Sequence, residues 1–420
     1  MTAPKPPVPA APETPHFGQR LGGWGSLGRG RAGASFDAGY GAYALVPRPR
    51  AADAASLQTL QGETMGTLWR LRWVNVDMRP LADVQALVQA QLDLVIAQMS
   101  HWEPTSLISR FNRAAAGTRM ALPPAFDHVL NAGLHWARRS GGAFDPAAGR
   151  LVALWGFGPH AASQLPPTPA ELAAWQAGPH WTALRPAAAS SAEEDPPATI
   201  TPPRCEAPPE AMPLPHTLAT PTPSTPGRQA TGADTPLETA SGEARAPLTQ
   251  PGGLWLDLSG IAKGYAVDAV SQALQAHGLD HFLIDIGGEL RASGRRPDGR
   301  CWRVQLDAGD DTSAPEVIEL NHRAVATSGN RWHRHVHGDD QWSHTVDPRS
   351  GQASRSALRA VSVLHAECMH ADALATALWV LGVDEGLTFA QAEGVAARLV
   401  DAQGRVHLSA HWPRPQSGTQ

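Results

Sequence analysis

Two stretches patterned for a folded core are separated by a segment, Ala187 to Pro251, made mainly of Pro, Ala, Thr, Ser and Glu. Such a composition lacks the apolar side chains whose burial offsets ordering entropy, so it reads as a disordered insertion. A core must then be assembled from two pieces of chain distant in sequence. Residues 1–57, rich in Pro, Gly and Ala, read in the same way as a flexible leader. The 38 prolines and 40 glycines among 420 residues, against three tyrosines and eight phenylalanines, agree with that division. The remainder, 58–186 and 252–412, is expected to form one folded domain.

Periodicity supplies the elements. Leu68 to Trp73 alternates as a strand does, and from Leu81 to Met99 apolar residues recur at helical spacing. A second helix is expected from Pro124 to Arg139, stopped by Ser140-Gly141-Gly142, and a short one from Ala170 to Ala177. Beyond the insertion, Leu254 to Leu258 reads as a strand that turns into a helix running through Leu274. His281 to Ile286, Trp302 to Asp307 and Ala324 to Ser328 read as further strands, and Ala371 to Gly382 as an apolar helix. Strands and helices mix without strict alternation, which makes the fold class α+β, a single mixed α/β domain.

A net charge of -5 gives no basic field for a nucleic-acid backbone. Cys205, Cys301 and Cys368 form no CxxC pair, so small buried or idle thiols are expected rather than a disulfide framework or a zinc site. No uninterrupted run of eighteen apolar residues is present, and no membrane span is expected. With no signal-peptide pattern or lipidation cysteine in the leader, a cytoplasmic location is the expectation, with a periplasmic one if the N-terminus is misassigned.

Chemistry concentrates in a few places. Asp372 and Thr376, four residues apart, lie one helical turn apart on one face. A carboxylate and a hydroxyl suit a hard cation such as Mg²⁺, although taken alone the pair is explained better by an N-terminal cap and a threonine bonded back to its own helix. Asp257 to Gly264 joins strand to helix through small residues with Lys263 near the helix start, an arrangement that can hold phosphate but also an ordinary corner. His344, just ahead of the Val346-Asp347-Pro348 turn, suits a general base or a structural hydrogen bond. His333, His335 and His337 alternate on one expected strand face and suggest adventitious metal affinity. Trp102 and Trp155 stand beside loops, where they could stack on a ring or simply fill the core.

In order along the chain stand Met65-Gly66-Thr67, Met99 to Pro104 with Ser109 to Asn112, Gly142 to Asp145, Leu154 to Gly158, Asp257 to Tyr265, Gly287-Gly288-Glu289, Ala326 to Gly329, Ser343 to Pro348, and Ala371 to Ala377. This succession, spanning about Gly62 to Val400, resembles the ApbE family, the FAD:protein FMN transferases. The resemblance implies a two-lobed ApbE-like (T-fold-like) domain in which FAD lies between the lobes as substrate. It implies that Met65, Trp102, Ala143, Phe144, Asp145, Asp257, Lys263 and Val346 line the flavin nucleotide site. Mg²⁺ would be held by the Gly260 carbonyl, Asp372 and Thr376, and His344 would activate the acceptor hydroxyl. The implied partner is an acceptor flavoprotein carrying a target Thr or Ser, which takes FMN from FAD while AMP leaves. Trp102 stands where the family often has Tyr, and Asn330 where many members have Asp. The rival readings of the same site are a Mg²⁺-dependent FAD pyrophosphatase and a flavin-binding protein without turnover.

Overall fold

The computed structural model describes residues 56–161, 163–184, 247–306, 316–329, 334–337, 340–354 and 356–413. Nearly all of the expected leader and of the expected insertion therefore lies outside the described residues, as do His333 and Asn330. The last five insertion residues are ordered into the fold. Leu248–Thr249 pairs with Arg119–Met120, and the fully buried Gln250 amide donates to the Phe111 and Leu254 carbonyls at 2.9 and 3.1 Å.

An eight-stranded antiparallel sheet forms the frame, in the spatial order Leu57–Thr64, Thr67–Val74, Phe282–Ile286, Glu289–Ser293, Arg323–Gly329, Leu358–His365, Ala396–Asp401, Val406–Leu408. The first two strands come from before the insertion and the other six from after it. They meet where Trp69 pairs with Ile286 and Trp73 with Phe282. Alternation along Thr67–Val74 sends Trp69, Leu71 and Trp73 into the main core. The opposite face, with Leu283, Leu290 and Ala292, is covered by the hairpin Trp302–Leu306 and Glu316–Leu320.

Helices bury the first face. Helix α1 (Leu81–Met99) inserts Val84, Val88, Leu92, Val95 and Met99, the stripe its spacing predicts. Helix α2 (Leu107–Arg113) is capped by Ser106 Oγ, which accepts the Ser109 N–H at 3.1 Å. Helix α3 (Pro124–Arg139) ends at Ser140 as expected. The short helices α4 (Gly149–Leu154) and α5 (Pro169–Gln176) build a smaller cluster in which Leu151, Trp155 and Trp175 pack with Trp342, Val346 and Ala353. Helix α6 (Ala262–Ala276) crosses α7 (Cys368–Ala392) so closely that a Cβ on Gly264 would lie 2.4 Å from the Cys368 carbonyl oxygen. Asp268 of α6 caps α7, accepting the Cys368 and Met369 N–H groups at 2.9 and 2.8 Å, and pairs with Arg291 of the sheet.

Several expectations change. Leu254 to Leu258 joins no ladder; it makes one isolated parallel bridge, Ala148 to Trp255. The Asn112 side chain replaces a strand neighbour, donating to the Leu256 carbonyl at 2.9 Å and accepting its N–H at 2.8 Å. An amide side chain satisfies the backbone as another peptide would. Helix α7 is interrupted at Gly382, the expected end, where φ 76° and ψ -166° leave the helical region, and a further helical run continues from there to Ala392. By length and mean hydropathy alone, α7 meets the requirement for crossing a membrane. Its residues from Ala371 to Val380 are nearly all buried against the sheet and α6, which makes it a core helix. Cys301 is disulfide-bonded rather than idle, while Cys368 is free and buried.

Candidate functional site

The hairpin turn that opens the sheet carries Met65 at φ 47° and Gly66 at φ 71° between the paired Thr64 and Thr67. A two-residue turn of this hand needs both positions left-handed, which is unfavourable for methionine. Met65 nevertheless packs on the main core. The turn abuts Gly287, where a Cβ would lie 2.8 Å from Thr67 Cγ2, so Met65 stands near the chain that leads into Glu289.

Next to it lies the densest group. A Cβ on Gly260 would lie 3.0 Å from Thr376 Oγ1 and 3.3 Å from Phe144 Cε2, which brings the corner before α6, helix α7 and the loop after α3 to one point. Asp372, one turn before Thr376, is 4% exposed and accepts the Gly264 N–H on Oδ2 at 3.0 Å. Burial first, and the neighbouring Glu289 charge second, push its carboxyl up to about 7. Lys263 Nζ reaches Glu289 Oε1 at 2.7 Å. Burial works to lower the ammonium pKa, but the Glu289 and Asp372 carboxylates outweigh it and hold the group above its ordinary value. Glu289 is 3% exposed, and its Oε2 has no hydrogen-bond partner.

These residues fit a hard cation. A Cβ on Gly260 would meet the Thr376 hydroxyl at 3.0 Å, and the Asp372 carboxylate lies one helical turn before that hydroxyl, so oxygen donors of the kind a hard cation takes stand close to Gly260. Among the described residues no three His, Cys, Asp or Glu side chains converge as a metal site.

The loop after α3 is held by Ser140, whose Oγ accepts the Phe144 N–H at 3.0 Å. Ala143 and Phe144 are buried, and Asp145 Oδ1 accepts the Ala147 N–H at 2.7 Å. Burial pushes the Asp145 carboxyl up to about 6 against the pull of that N–H. Asp257 Oδ1 accepts the N–H and hydroxyl of Ser259 at 2.8 and 2.5 Å, and His101 Nδ1 stands 3.8 Å away. His101 and Asp257 line a cleft with Phe157, His160 and Trp255. At its side Trp102 is 67% exposed, its ring centroid 6.0 Å from that of His101.

His344 is exposed at the same side, edge-on to Phe157 with centroids 6.2 Å apart. Val346 is buried in the small cluster with Trp155 and pairs with Ala353. Trp155 itself donates to the Gly351 carbonyl at 3.0 Å, which settles it as a core residue. Of the three alternating histidines, His335 turns inward, stacked on Phe157 at 4.4 Å with Nε2 2.9 Å from the Gly156 carbonyl, so it offers no exposed imidazole row with His337.

The structure thus brings Gly260, Thr376 and Phe144 to one point, with Asp372 one turn before Thr376 and bonded to Gly264, the residue after Lys263. Trp102 and Asp257 form a second group and His344 and Val346 a third, bridged by Phe157. Sequence reasoning assigned nothing to Glu289, Asn112 or His101. The signal for Glu289 was a charged residue directly after an apolar strand and two glycines.

The fold is thus a mixed α/β domain with a half-buried Lys263 paired to the buried Glu289 and a small cleft lined by His101, Phe157, His160, Trp255 and Asp257. The sequence profile of the ApbE family matches residues 65–202 and 209–399, and the chain belongs to that family. A FAD:protein FMN transferase of Vibrio cholerae serotype O1 is 28% identical over 347 residues, covering 81% of this chain and 86% of the relative. One from Salmonella typhimurium is 26% identical over 364 residues, covering 86% and 89%. Among solved structures, flavin transferase ApbE from Vibrio cholerae superposes with TM-score 0.65 at 27% identity, covering 85% of this chain and 98% of that one. The apo flavinyl transferase ApbE from Pseudomonas stutzeri gives 0.66 at 28%, covering 84% and 95%.

Proposed function

We propose that this chain is a Mg²⁺-dependent FAD:protein FMN transferase that attaches FMN through a phosphoester bond to a Thr or Ser of an acceptor flavoprotein and releases AMP. The observation that carries the reading is the meeting of Gly260, Thr376 and Phe144 at one point, beside Asp372 and Lys263, in a chain of the ApbE family.

The roles follow from the donors present. The Gly260 carbonyl, Asp372 and Thr376 would hold Mg²⁺, which supplies charge neutralisation on the pyrophosphate when bound. Lys263, at the start of α6, offers its ammonium to the same phosphates. Phe144, Met65 and the exposed Trp102 offer apolar and aromatic surface to the flavin nucleotide, and Asp145 and Asp257 offer carboxylate acceptors. His344 takes the proton of the acceptor hydroxyl as its oxygen bonds to the FMN-side phosphorus. The bond from that phosphorus to the bridging oxygen breaks, and the oxygen leaves with AMP.

The test is incubation of the purified chain with FAD, Mg²⁺ and flavoprotein acceptors carrying a Thr or Ser target. A fluorescent acceptor band with one AMP per FMN bound supports the reading. Free FMN with AMP, and no label on the acceptor, would make the chain a pyrophosphatase, and intact FAD after hours would make it a binding protein.

A further inference from the structure

The Gly287-Gly288-Glu289 block has no part in the chemistry above, yet Glu289 is the most enclosed carboxylate around it. It is 3% exposed, one oxygen holds Lys263 Nζ at 2.7 Å, and the other has no partner. Without it, the half-buried Lys263 ammonium and a divalent cation on the buried Asp372, whose charge acts on that ammonium, would repel each other with one negative charge between them. Solvent screens a partly buried pair of charges incompletely, so such a repulsion weakens cation binding. We infer that Glu289 is a positioning residue of the cation site: it fixes the Lys263 ammonium and cancels its charge, so that the ammonium and a divalent cation can stand side by side. Lys263, Glu289 and Asp372 together carry one net negative charge, and replacing Glu289 by a neutral residue takes that to zero. The two glycines contribute by letting the chain turn tightly from the strand Phe282–Ile286 into Glu289, with Gly287 at φ 66° and Gly288 at φ 108°.

The inference rests on the metal reading under Proposed function, and its test uses neither FAD nor acceptor. Mn²⁺ is titrated into the full chain, with free Mn²⁺ read by its paramagnetic resonance signal. Glu289→Gln is expected to weaken binding by about tenfold or more, near 1.4 kcal/mol. Lys263→Met, which removes the positive charge instead, is expected to leave binding unchanged or tighten it. A purely structural role would move both variants in the same direction, and that result would overturn the inference, as would unchanged binding in Glu289→Gln. If Glu289→Gln does not fold, the double variant Lys263→Met/Glu289→Met keeps the net charge and is expected to bind within about threefold of wild type. A double variant that has lost Mn²⁺ binding sinks the charge argument. A wild-type chain that binds no Mn²⁺ removes the metal reading as well, whereas normal Mn²⁺ behaviour without flavin transfer leaves this inference standing and fells the activity alone.

Discussion

The Gly264 N–H donates to Asp372 Oδ2 at 3.0 Å, tying the first turn of α6 to the first turns of α7 at the point where the two helices come closest. This bond orients a buried carboxylate that stands close to the charges of Glu289 and Lys263. It also makes the site depend on how tightly the two helices pack.

Asp372→Ala is expected to lower flavin transfer by about a hundredfold or more, the scale of losing a charged ligand at a phosphoryl-transfer centre. Thr376→Ala, which removes one neutral donor, should cost about tenfold. Steady-state rates over a Mg²⁺ series would check both, and an Asp372→Ala enzyme with ordinary turnover would remove this carboxylate from the site.

Because burial and Glu289 push the Asp372 carboxyl up to about 7, a proton competes with a cation for it. Cation affinity is therefore expected to rise with pH up to about 7 and to level off above that. Mn²⁺ titrations from acid to mildly alkaline buffer would show it, and an affinity flat across that range would contradict it.

Two glycines separate packing from chemistry. Gly264→Ala drives a Cβ within 2.4 Å of the Cys368 carbonyl oxygen, a backbone atom, and should destabilise the fold by about 2–4 kcal/mol. Gly260→Ala meets Thr376 Oγ1 at 3.0 Å, so its cost in stability should be near 1 kcal/mol while flavin transfer falls sharply. Urea unfolding alongside activity would reveal the reversal of order.

Asp268 caps α7 and pairs with Arg291 in a buried setting. Asp268→Ala leaves the guanidinium and two helix N–H groups without that partner, and should cost about 3–5 kcal/mol. A change below about 1 kcal/mol in chemical unfolding would show that the helix start is held by other contacts.

His365 is held down to about 4, chiefly by burial and next by the neighbouring His370. Its folded pKa lies below the unfolded one, so this group contributes nothing to pH dependence above about 6.5. Stability is lost as pH falls from there towards 4, by at most about 3.4 kcal/mol at 1.36 kcal/mol per unit. His365→Asn should flatten that acid limb. Unfolding free energies of the two proteins, compared between pH 7 and 4, must converge towards the acid end if the assignment holds.

Much of this molecule is legible before folding because local pattern and burial agree. Helix α1 begins at Leu81 and ends at Met99, and α3 runs from Pro124 to Arg139, as their spacing predicts, since each offers one apolar stripe to one core. Leu254 to Leu258 misleads because its apolar run has the composition of a strand. Its hydrogen bonds go instead to the Asn112 side chain and the Pro146 carbonyl, supplied by the other piece of chain. Gly382 interrupts α7 where the sequence places the end of that helix, and the helical run beyond it packs Leu387, Phe389 and Ala390 on the main core.

The spacing of Asp372 and Thr376, the small residues around Gly260 and the division of the chain into patterned and unpatterned segments are properties of the sequence by itself. They follow from helical period and side-chain chemistry, which need no distant partner. Only the tertiary structure decided that Gly260 lies against Thr376 and Phe144, that Asn112 stands in for a strand, and that Glu289 is the buried counter-charge of Lys263. Those relations join residues far apart in the chain, and they arise from closing one sheet across the two halves, where burial leaves each polar group only the partners the fold brings to it.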